Sequence, residues 1–564
     1  MRIRKIGIVS RAYRNINRYR QILSVLFKYG FDSLIERLHL GQYLDIGMRM
    51  ISRKRRERID ILSRSERLRM AFEELGPTFI KMGQILSTRP DLIPIEYMRE
   101  LEKLQDDVPP FPFAQVKEIV ERELRNPLNQ IFLRFDEAPL AAASIAQVHR
   151  AQLKTGEEVI VKVQRPGIRR TIEVDLEILF HLATLIEKYL EELEIYRPTK
   201  IVQEFAETLE KEIDFNIEAL HVERFARQFM GNESIYVPWI FRQATTERIL
   251  TMEYIVGIKV SDITMLDQEG YDRKIIASRG ADLMLEQIFN NGFFHADPHP
   301  GNVWILPGNV ICYLDFGMMG HVTRQSRINF ANMLNGYVLR DEAKITDAVL
   351  KIVEWEEEPD RYALEKDIAT FMGLHFYKSL KEIRLGALLY EFLGLFVRHQ
   401  LRLPPDIFLM VKALTQVEGT GLLMNPDFDM SEKVAAFIKQ VQMERMQPKR
   451  LLSEFVESGG ELFQHVKEIP EALHDILIQM KQGKSRIRFE HRGLENFIFE
   501  MDRSSNRIAF SLIIAAIIVG SSLIITTNMG PHLFGFSFLG LLGYTIAGFL
   551  GLWLLISIFR SGKL

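Results

Sequence analysis

Two carboxylates and an amide sit in this chain at spacings that suit phosphoryl transfer. The stretch Phe293-Phe294-His295-Ala296-Asp297-Pro298-His299-Pro300-Gly301-Asn302 delivers Asp297 behind an apolar approach and Asn302 five residues later. Thirteen residues beyond Asn302, Asp315 emerges from the apolar run Val310-Ile311-Cys312-Tyr313-Leu314 and is followed by Phe316-Gly317. Transfer from a nucleoside triphosphate needs these parts in this order. One carboxylate orients the attacking oxygen, and an amide plus a second carboxylate hold Mg²⁺ against the phosphates. The reading makes Asp297 the catalytic base and Asn302 and Asp315 the metal ligands, with ATP and Mg²⁺ as cofactors.

The spacing from Asp297 to Asn302, and the Asp-Phe-Gly that follows, match the signature H-R-D-x-x-x-x-N and D-F-G of kinases. Asp-Phe-Gly alone is often only a strand running into a turn, whereas the two motifs in this order are far more specific. Such a site needs a lysine on a strand of the nucleotide lobe, held by a glutamate from the next major helix. In Glu158-Val159-Ile160-Val161-Lys162-Val163-Gln164, Lys162 interrupts a β-branched run, and a lysine seldom points inward unless paired. The segment Glu212-Ile213-Asp214-Phe215-Asn216-Ile217-Glu218 offers acids, with Asp214 and Glu218 on one helix face. Glu218 or Glu212 is the natural partner. The loop Ala141-Ala142-Ala143-Ser144-Ile145-Ala146 stands where kinases place a glycine-rich phosphate cover. Its small residues let backbone N–H groups approach phosphate, but alanine resists positive φ, so altered nucleotide selectivity is expected. Short runs at Ile235–Ile240 and Ile249–Tyr254 read as the remaining small-lobe strands, and Glu253 to Gly257 as the hinge whose backbone binds adenine.

Two departures disfavour a peptide acceptor. No A-P-E follows Asp315, and Arg324 to Leu339 already has helical apolar spacing. The lysine that Ser/Thr kinases carry two residues past the base is replaced by His299.

The elements that must position these residues occupy a chain of 564 residues, too long for one ordinary domain. A hydrophobic content of 47% with 26% charged residues describes folded protein. The single cysteine, Cys312, excludes internal disulfides and cysteine-rich zinc sites. The net charge of -2 hides an asymmetry, because residues 1–60 carry 15 Lys/Arg against 5 Asp/Glu. In that segment Ile16, Tyr19, Ile22, Leu23, Leu26 and Phe27 recur at helical intervals beside Arg11, Arg14, Arg18 and Arg20. The pattern fits a helix lying on anionic membrane lipid, or a helix packed on the protein with a solvated basic face. The run Arg53-Lys54-Arg55-Arg56 has no nucleic-acid-reading module beside it, so nucleic acid is not expected as a partner. No signal peptide is apparent. Residues 61–110 read as helices broken at Gly76-Pro77 and Arg89-Pro90, with Lys81 and Gln84 on one face between the breaks. Residues 431–503 are amphipathic and end in Arg486, Arg488, Arg492 and Arg503.

Between Arg507 and Arg560 there is no Asp, Glu, Lys or Arg. That is far longer than the ~20 residues a bilayer span requires. It divides at Asn528-Met529-Gly530-Pro531-His532 into expected spans Ile508–Thr527 and Phe536–Phe559. The flanks Arg503/Arg507 and Arg560/Lys563 put both ends on the cytoplasmic side, and Gly543, Gly548 and Gly551 would allow close helix packing.

With Lys81-Met82-Gly83-Gln84, the Ala-rich loop, Glu212-x-Asp214 and His295-Ala296-Asp297 through Asn302 together, the chain resembles the UbiB family of aarF-domain, kinase-like proteins of quinone biosynthesis. The resemblance covers about residues 61–430 and the terminal hairpin. It implies that Lys162 contacts ATP phosphates and pairs with Glu218. It further implies that the Lys81/Gln84 helix folds across the site, Lys81 near Glu212 and Asp214, occluding a protein substrate. It favours ATPase-like activity coupled to ubiquinone precursors, or to quinone-biosynthesis enzymes, at the cell inner membrane. The alternatives are a small-molecule phosphotransferase of the choline or aminoglycoside kinase kind and a nucleotide-binding pseudokinase scaffold; a second copy of the chain is an allowed partner.

The expected architecture is an α+β, two-lobed, protein-kinase-like fold with an N-terminal helical extension and a C-terminal transmembrane helical hairpin. Its expected boundaries are 1–60 (basic membrane-proximal segment), 61–130 (helical extension), 131–257 (small lobe), 258–430 (large lobe), 431–503 (amphipathic helices) and 504–564 (hairpin).

Overall fold

A computed structural model describes residues 15–41, 62–89, 92–104, 109–190, 197–355, 358–375, 384–445, 494–527, 531–533 and 536–560. Arg11, Arg14, Arg53 to Arg56, Arg486, Arg488 and Arg492 lie outside the described residues. The chain divides into two units, residues 1–447 and 448–564.

The first unit opens with helices α1 (Ile16–Lys28), α2 (Asp32–Arg37), α3 (Arg64–Leu75), α4 (Pro77–Leu86) and α5 (Ile95–Leu101). Helices α6 (Phe113–Leu124) and α7 (Leu128–Ile131) lead into strands β1 (Phe132–Phe135), β2 (Ala141–Ala142), β3 (Ala146–Leu153) and β4 (Glu158–Gln164). Next come α8 (Ile168–Tyr189), α9 (Pro198–Glu212), α10 (Phe215–Gln228), β5 (Ile235–Tyr236), β6 (Ile249–Glu253) and β7 (Ile258–Lys259). The large lobe continues through α11 (Ile263–Gln268), α12 (Arg273–Leu285), a π-helical turn Glu286–Asn291, β8 (Phe293–His295), β9 (Val303–Leu306), β10 (Val310–Tyr313) and β11 (Met319–His321). It closes with α13 (Arg324–Leu339), α14 (Glu342–Ile352), α15 (Arg361–His375), α16 (Leu385–Arg398), α17 (Pro405–Met424) and α18 (Met430–Arg445).

The small-lobe sheet runs β1-β3-β4-β6, with β2 added beside β3. Strand alternation sorts the side chains of β4. Val159, Val161 and Val163 are buried in a cluster with Val116, Ile119 and Val120 of α6, which leaves Lys162 on the opposite face. Helix α6 thus covers the valine face of the sheet. Ile235–Tyr236 does not join that sheet as expected. It pairs in parallel with β10, in the second sheet β5-β10-β9-β7. β10 is thereby flanked on both sides and delivers Asp315, while β8 and β11 pair across the turn that follows, Met319 opposite His295.

The apolar stripe of α1 is not left for a membrane. Tyr19, Ile22 and Leu23 are 2%, 0% and 1% exposed within the main core, beside residues of α3, α4 and α8. Arg18, placed beside that stripe by the sequence, is bound to the buried Asp175 of α8 through its Nε at 2.7 Å. Of the two sequence readings, the packed helix is the one the structure contains, because an apolar face of that size removes more surface from water in the core than on its edge.

In the second unit, α19 (Leu494–Thr527) and α20 (Phe538–Arg560) form an antiparallel hairpin closed by β12 (His532–Leu533) and β13 (Phe536–Ser537). Gly543 does permit close packing: a Cβ there would lie 2.0 Å from Ser521 Oγ. Gly548 and Gly551 have nothing within 4 Å, and the second close approach is made instead by Gly540 against Ile525.

Candidate active site

Strand β4 and helix α10 assemble the first half of the site. Asp214 caps α10, its carboxylate accepting the Asn216 N–H at 3.0 Å, which sets the helix so that Glu218 in its first turn faces β4. The Lys162 ammonium donates to both Glu218 oxygens, at 3.0 and 2.9 Å, and lies over the Phe215 ring at 5.3 Å. Burial works against the Lys162 charge, but the Glu218 and Asp315 carboxylates outweigh it and raise its pKa. The partner left open between Glu218 and Glu212 is therefore Glu218. One turn further along α10, His221 donates from Nδ1 to the Phe316 carbonyl at 3.0 Å, and Phe225 packs on Phe316 with ring centroids 5.2 Å apart. One helix face thus holds both the lysine and the Asp-Phe-Gly turn.

The second half is built around His295, which is buried between Tyr313 and Phe316. Its Nε2 donates to the Asp315 carbonyl, and its Nδ1 accepts the Asp297 N–H at 3.3 Å. Burial lowers its pKa, so a neutral ring ties the backbones of both carboxylates together. The buried Gln287 of the π-turn accepts the His295 N–H at 3.0 Å. Asp315 is opposed by its burial but is held down to about 2 by Lys162, the Gly317 N–H and Lys81. Its Oδ1 accepts that N–H at 2.9 Å. The Asn302 side chain makes no hydrogen bond among the described residues.

The extension closes over this site. Lys81 of α4 pairs with Glu212 Oε1 at 2.5 Å, as expected, whereas Asp214 is occupied as the cap of α10. Gln84 Nε2 donates to the Leu104 carbonyl at 3.3 Å. Gly83 between them is required by packing, since a Cβ there would meet Leu104 Cδ1 at 2.2 Å and Phe72 Cδ2 at 3.0 Å. Glycine thus seats α4 close against α3 and the end of α5, with Lys81 and Gln84 turned to the cavity.

A cavity of about 1410 Å³ joins these groups: Lys81, Gln84, Glu212, Ala143, His295, Asp297, Asn302 and Asp315 line it, with Tyr390 of α16 and Lys412 and Gln416 of α17 on the far side. In the Ala-rich loop, the Ala143 N–H is already donated to the Ala146 carbonyl at 2.7 Å, and Arg165 Nε braces the Ala143 carbonyl at 3.0 Å. The Ser144 hydroxyl is buried without a hydrogen-bond partner among the described residues. Ile145 is buried in the core, while Ala141 and Ala142 form β2. Glu253 is turned elsewhere: its carboxylate accepts from Tyr236 Oη at 2.9 and 2.8 Å and from the Trp239 N–H at 3.1 Å. Any adenine contact there falls to backbone groups.

Reading the sequence missed the groups that hold Asp297. Lys412 Nζ lies 3.0 Å from Asp297 Oδ1, and Gln416 Nε2 donates to the same oxygen at 2.8 Å. Burial pushes the Asp297 pKa upward, but Lys412 and Gln416 prevail and lower it. The available signal was a Lys and a Gln one turn apart on a helix, together with the missing catalytic-loop lysine.

The residues present fit a magnesium nucleotide. Among the described residues, no group of three or more His, Cys, Asp or Glu forms a metal cage. Mg²⁺ bound with phosphates needs only one or two protein oxygens, and Asn302 and the ionised Asp315 offer those.

Three family models match along the chain: the ABC1 atypical kinase-like domain over residues 103–349, the UbiB helical domain over 368–429 and the ABC1/UbiB kinase-like C-terminal domain over 492–560. A Xanthomonas campestris pv. campestris (strain B100) protein named "Probable protein kinase UbiB" is 33% identical over 525 residues, covering 90% of this chain and 94% of its own. The chain belongs to the ABC1/UbiB kinase-like family. A Pseudomonas fluorescens (strain SBW25) protein of the same name is 35% identical over 483 residues, 84% of this chain and 88% of its own. A Clostridium pasteurianum protein, "Uncharacterized protein in hydrogenase 1 5'region", is 33% identical over 98% of this chain and 100% of its own. Lys412 and Gln416 fall in the UbiB helical segment, not in the kinase-like domain match that contains Asp297.

Proposed function

We propose that this UbiB-family chain is a Mg-ATP-dependent atypical kinase or ATPase that supports isoprenoid (ubiquinone) quinone biosynthesis at a membrane. The observation that carries the nucleotide reading is the buried Lys162–Glu218 pair facing an ionised Asp315. Lys162 would hold the phosphates, with the Ala-rich loop over them, and Asn302 and Asp315 would hold the metal. Bound Mg²⁺ would supply neutralisation of the charge that builds on the phosphate oxygens. Asp297 would orient the acceptor oxygen. As the bond from phosphorus to the leaving ADP oxygen breaks and the bond to the acceptor forms, the acceptor proton passes to Asp297.

Water or a small hydroxyl compound is the favoured acceptor, because α4 and the end of α5 wall the cavity where a peptide would lie. The pathway assignment rests on the family. Among the described residues, three helices are long and apolar enough to cross a membrane: Pro405–Met424, Ser504–Thr527 and Phe538–Leu555. The first contributes Ile407, Phe408, Met410 and Val411 to the large-lobe core, so the proposed anchor is the α19–α20 hairpin. Its basic flanks favour both ends on the cytoplasmic face of the inner membrane, where anionic lipid and quinone precursors or their enzymes are the proposed partners.

ATP hydrolysis by the full chain, with and without anionic lipid and a phenolic quinone precursor, tests the reading. Asp315→Asn should abolish Mg-dependent turnover while the protein stays folded. Unchanged turnover in that variant would refute the site assignment, and nucleotide binding without any turnover would favour the scaffold.

A further inference from the structure

His299 occupies the position, two residues past Asp297, where Ser/Thr kinases carry a lysine. It cannot serve as the missing cation from its present pose, since its Nδ1 accepts the Gly301 N–H at 3.1 Å and shapes its own loop. A positive charge nevertheless reaches Asp297, from α17. Lys412 Nζ at 3.0 Å and Gln416 Nε2 at 2.8 Å, one helical turn apart, both meet Oδ1. No hydrogen bond reaches Oδ2 among the described residues. Lys412 is the more enclosed partner, its side chain 12% exposed against 35% for Asp297. Its helix is clamped on either side by the buried Phe408, Met410, Val411 and Leu414. Six residues on, the buried Glu418 accepts the Leu385 and Gly386 N–H groups at 2.7 Å each, tying α17 to the start of α16.

We propose that Lys412 stands in for the catalytic-loop cation of this site from the helical subdomain: with Gln416 it fixes Oδ1 of Asp297 and turns Oδ2 to the acceptor. The inference rests on the phosphoryl-transfer reading above. It assigns Lys412 and Gln416 as positioning residues. The chemistry is consistent. Two donors on one oxygen make Asp297 a weak base, which costs little in a loose phosphoryl-transfer transition state, where orientation and charge matter more than early proton removal. His295 on its own loop and Glu102 at the end of α5, the latter accepting from Tyr390 Oη at 3.4 Å, also act on Asp297 electrostatically, and His299, Arg99 and Asp315 line the same cavity.

The test compares wild type, Lys412→Met, Lys412→Arg and Gln416→Leu as full-length protein in lipid. It measures kcat and KM for Mg-ATP hydrolysis and the Kd of a non-hydrolysable ATP analogue with Mg²⁺. Losing a preorganised charge donor should lower kcat in Lys412→Met by roughly 10²-fold, with the analogue Kd nearly unchanged. Lys412→Arg should recover most of that loss, and Gln416→Leu should lose about tenfold in kcat. The acid limb of the kcat–pH profile should move to higher pH in Lys412→Met, because Asp297 then lacks its cation. A purely structural role would lower kcat and analogue affinity together, with no recovery by arginine and no movement of the acid limb; that result, or an unchanged kcat in Lys412→Met, overturns the proposal. A wild type without Mg-dependent turnover overturns the functional reading itself, and the two failures are therefore distinguishable.

Discussion

Replacing Glu218 with glutamine keeps the size of the side chain and removes its charge, leaving the buried Lys162 ammonium with Asp315 as its nearest remaining counter-charge. At 2.9 Å, the Coulomb attraction is about 6 kcal/mol for an effective dielectric constant near 20, much of it offset by the cost of burying both ions. Removing one partner of a buried pair costs ~3–5 kcal/mol. The glutamine oxygen still accepts one hydrogen bond and Asp315 still attracts the ammonium, so the lower end, about 3 kcal/mol, is expected. For a unit of 447 residues that corresponds to a fall in Tm of roughly 3 °C. The double variant Lys162→Met/Glu218→Gln leaves Asp315 as the one charge of the three, with the Gly317 N–H and Lys81 as its remaining partners, and should regain part of the loss. Thermal unfolding followed by tryptophan fluorescence, with hydrogen exchange along α10, measures the cycle. A Glu218→Gln variant as stable as wild type, or a double variant as unstable as the sum of the singles, would refute the claim that this pair sets the position of Lys162. The same Glu218→Gln variant should bind the ATP analogue about tenfold more weakly, a change of ~1.4 kcal/mol.

Two further outcomes follow from local geometry. Asp315 is depressed from 3.8 to about 2, so its charged form contributes fully above the unfolded value and is lost only as pH falls from there through the folded value; Mg-nucleotide binding measured by titration should be flat from roughly pH 5 to 8 as far as Asp315 is concerned. Gly83→Ala forces a Cβ to within 2.2 Å of Leu104 Cδ1. It should destabilise the seating of α4 by about 1–3 kcal/mol, read as faster proteolysis between residues 62 and 104 with the small lobe still resistant.

The groups proposed to handle phosphate are mostly announced by local rules. Strand alternation turns Lys162 away from Val161 and Val163, whereas the choice of Glu218 over Glu212 falls to the cap at Asp214 and the packing of α10 on β4. The order Asp297, Asn302, Asp315 carries the spacing that metal-assisted transfer demands. The occluding helix was legible through its family motif, and the structure adds why the motif contains Gly83.

Other features had no local announcement. The stripe of Tyr19, Ile22 and Leu23 has the same period on a membrane or in a core, and only the presence of α3, α4 and α8 beside it chose the core. Gly540 and Gly543 pack on α19 whereas Gly548 and Gly551 do not, because composition does not set the rotation of a helix about its axis. The partners of the Glu253 carboxylate, Tyr236 and the Trp239 N–H, reach it through space and carry no local signal. The contact from Gln416 to Asp297 spans 119 residues. By itself the sequence determined which groups are proposed to hold a nucleotide and its metal, since those groups stand at short-range spacings. Only the tertiary structure decided which charge steadies Asp297, because that partner arrives on a helix whose position depends on the packing of the whole large lobe.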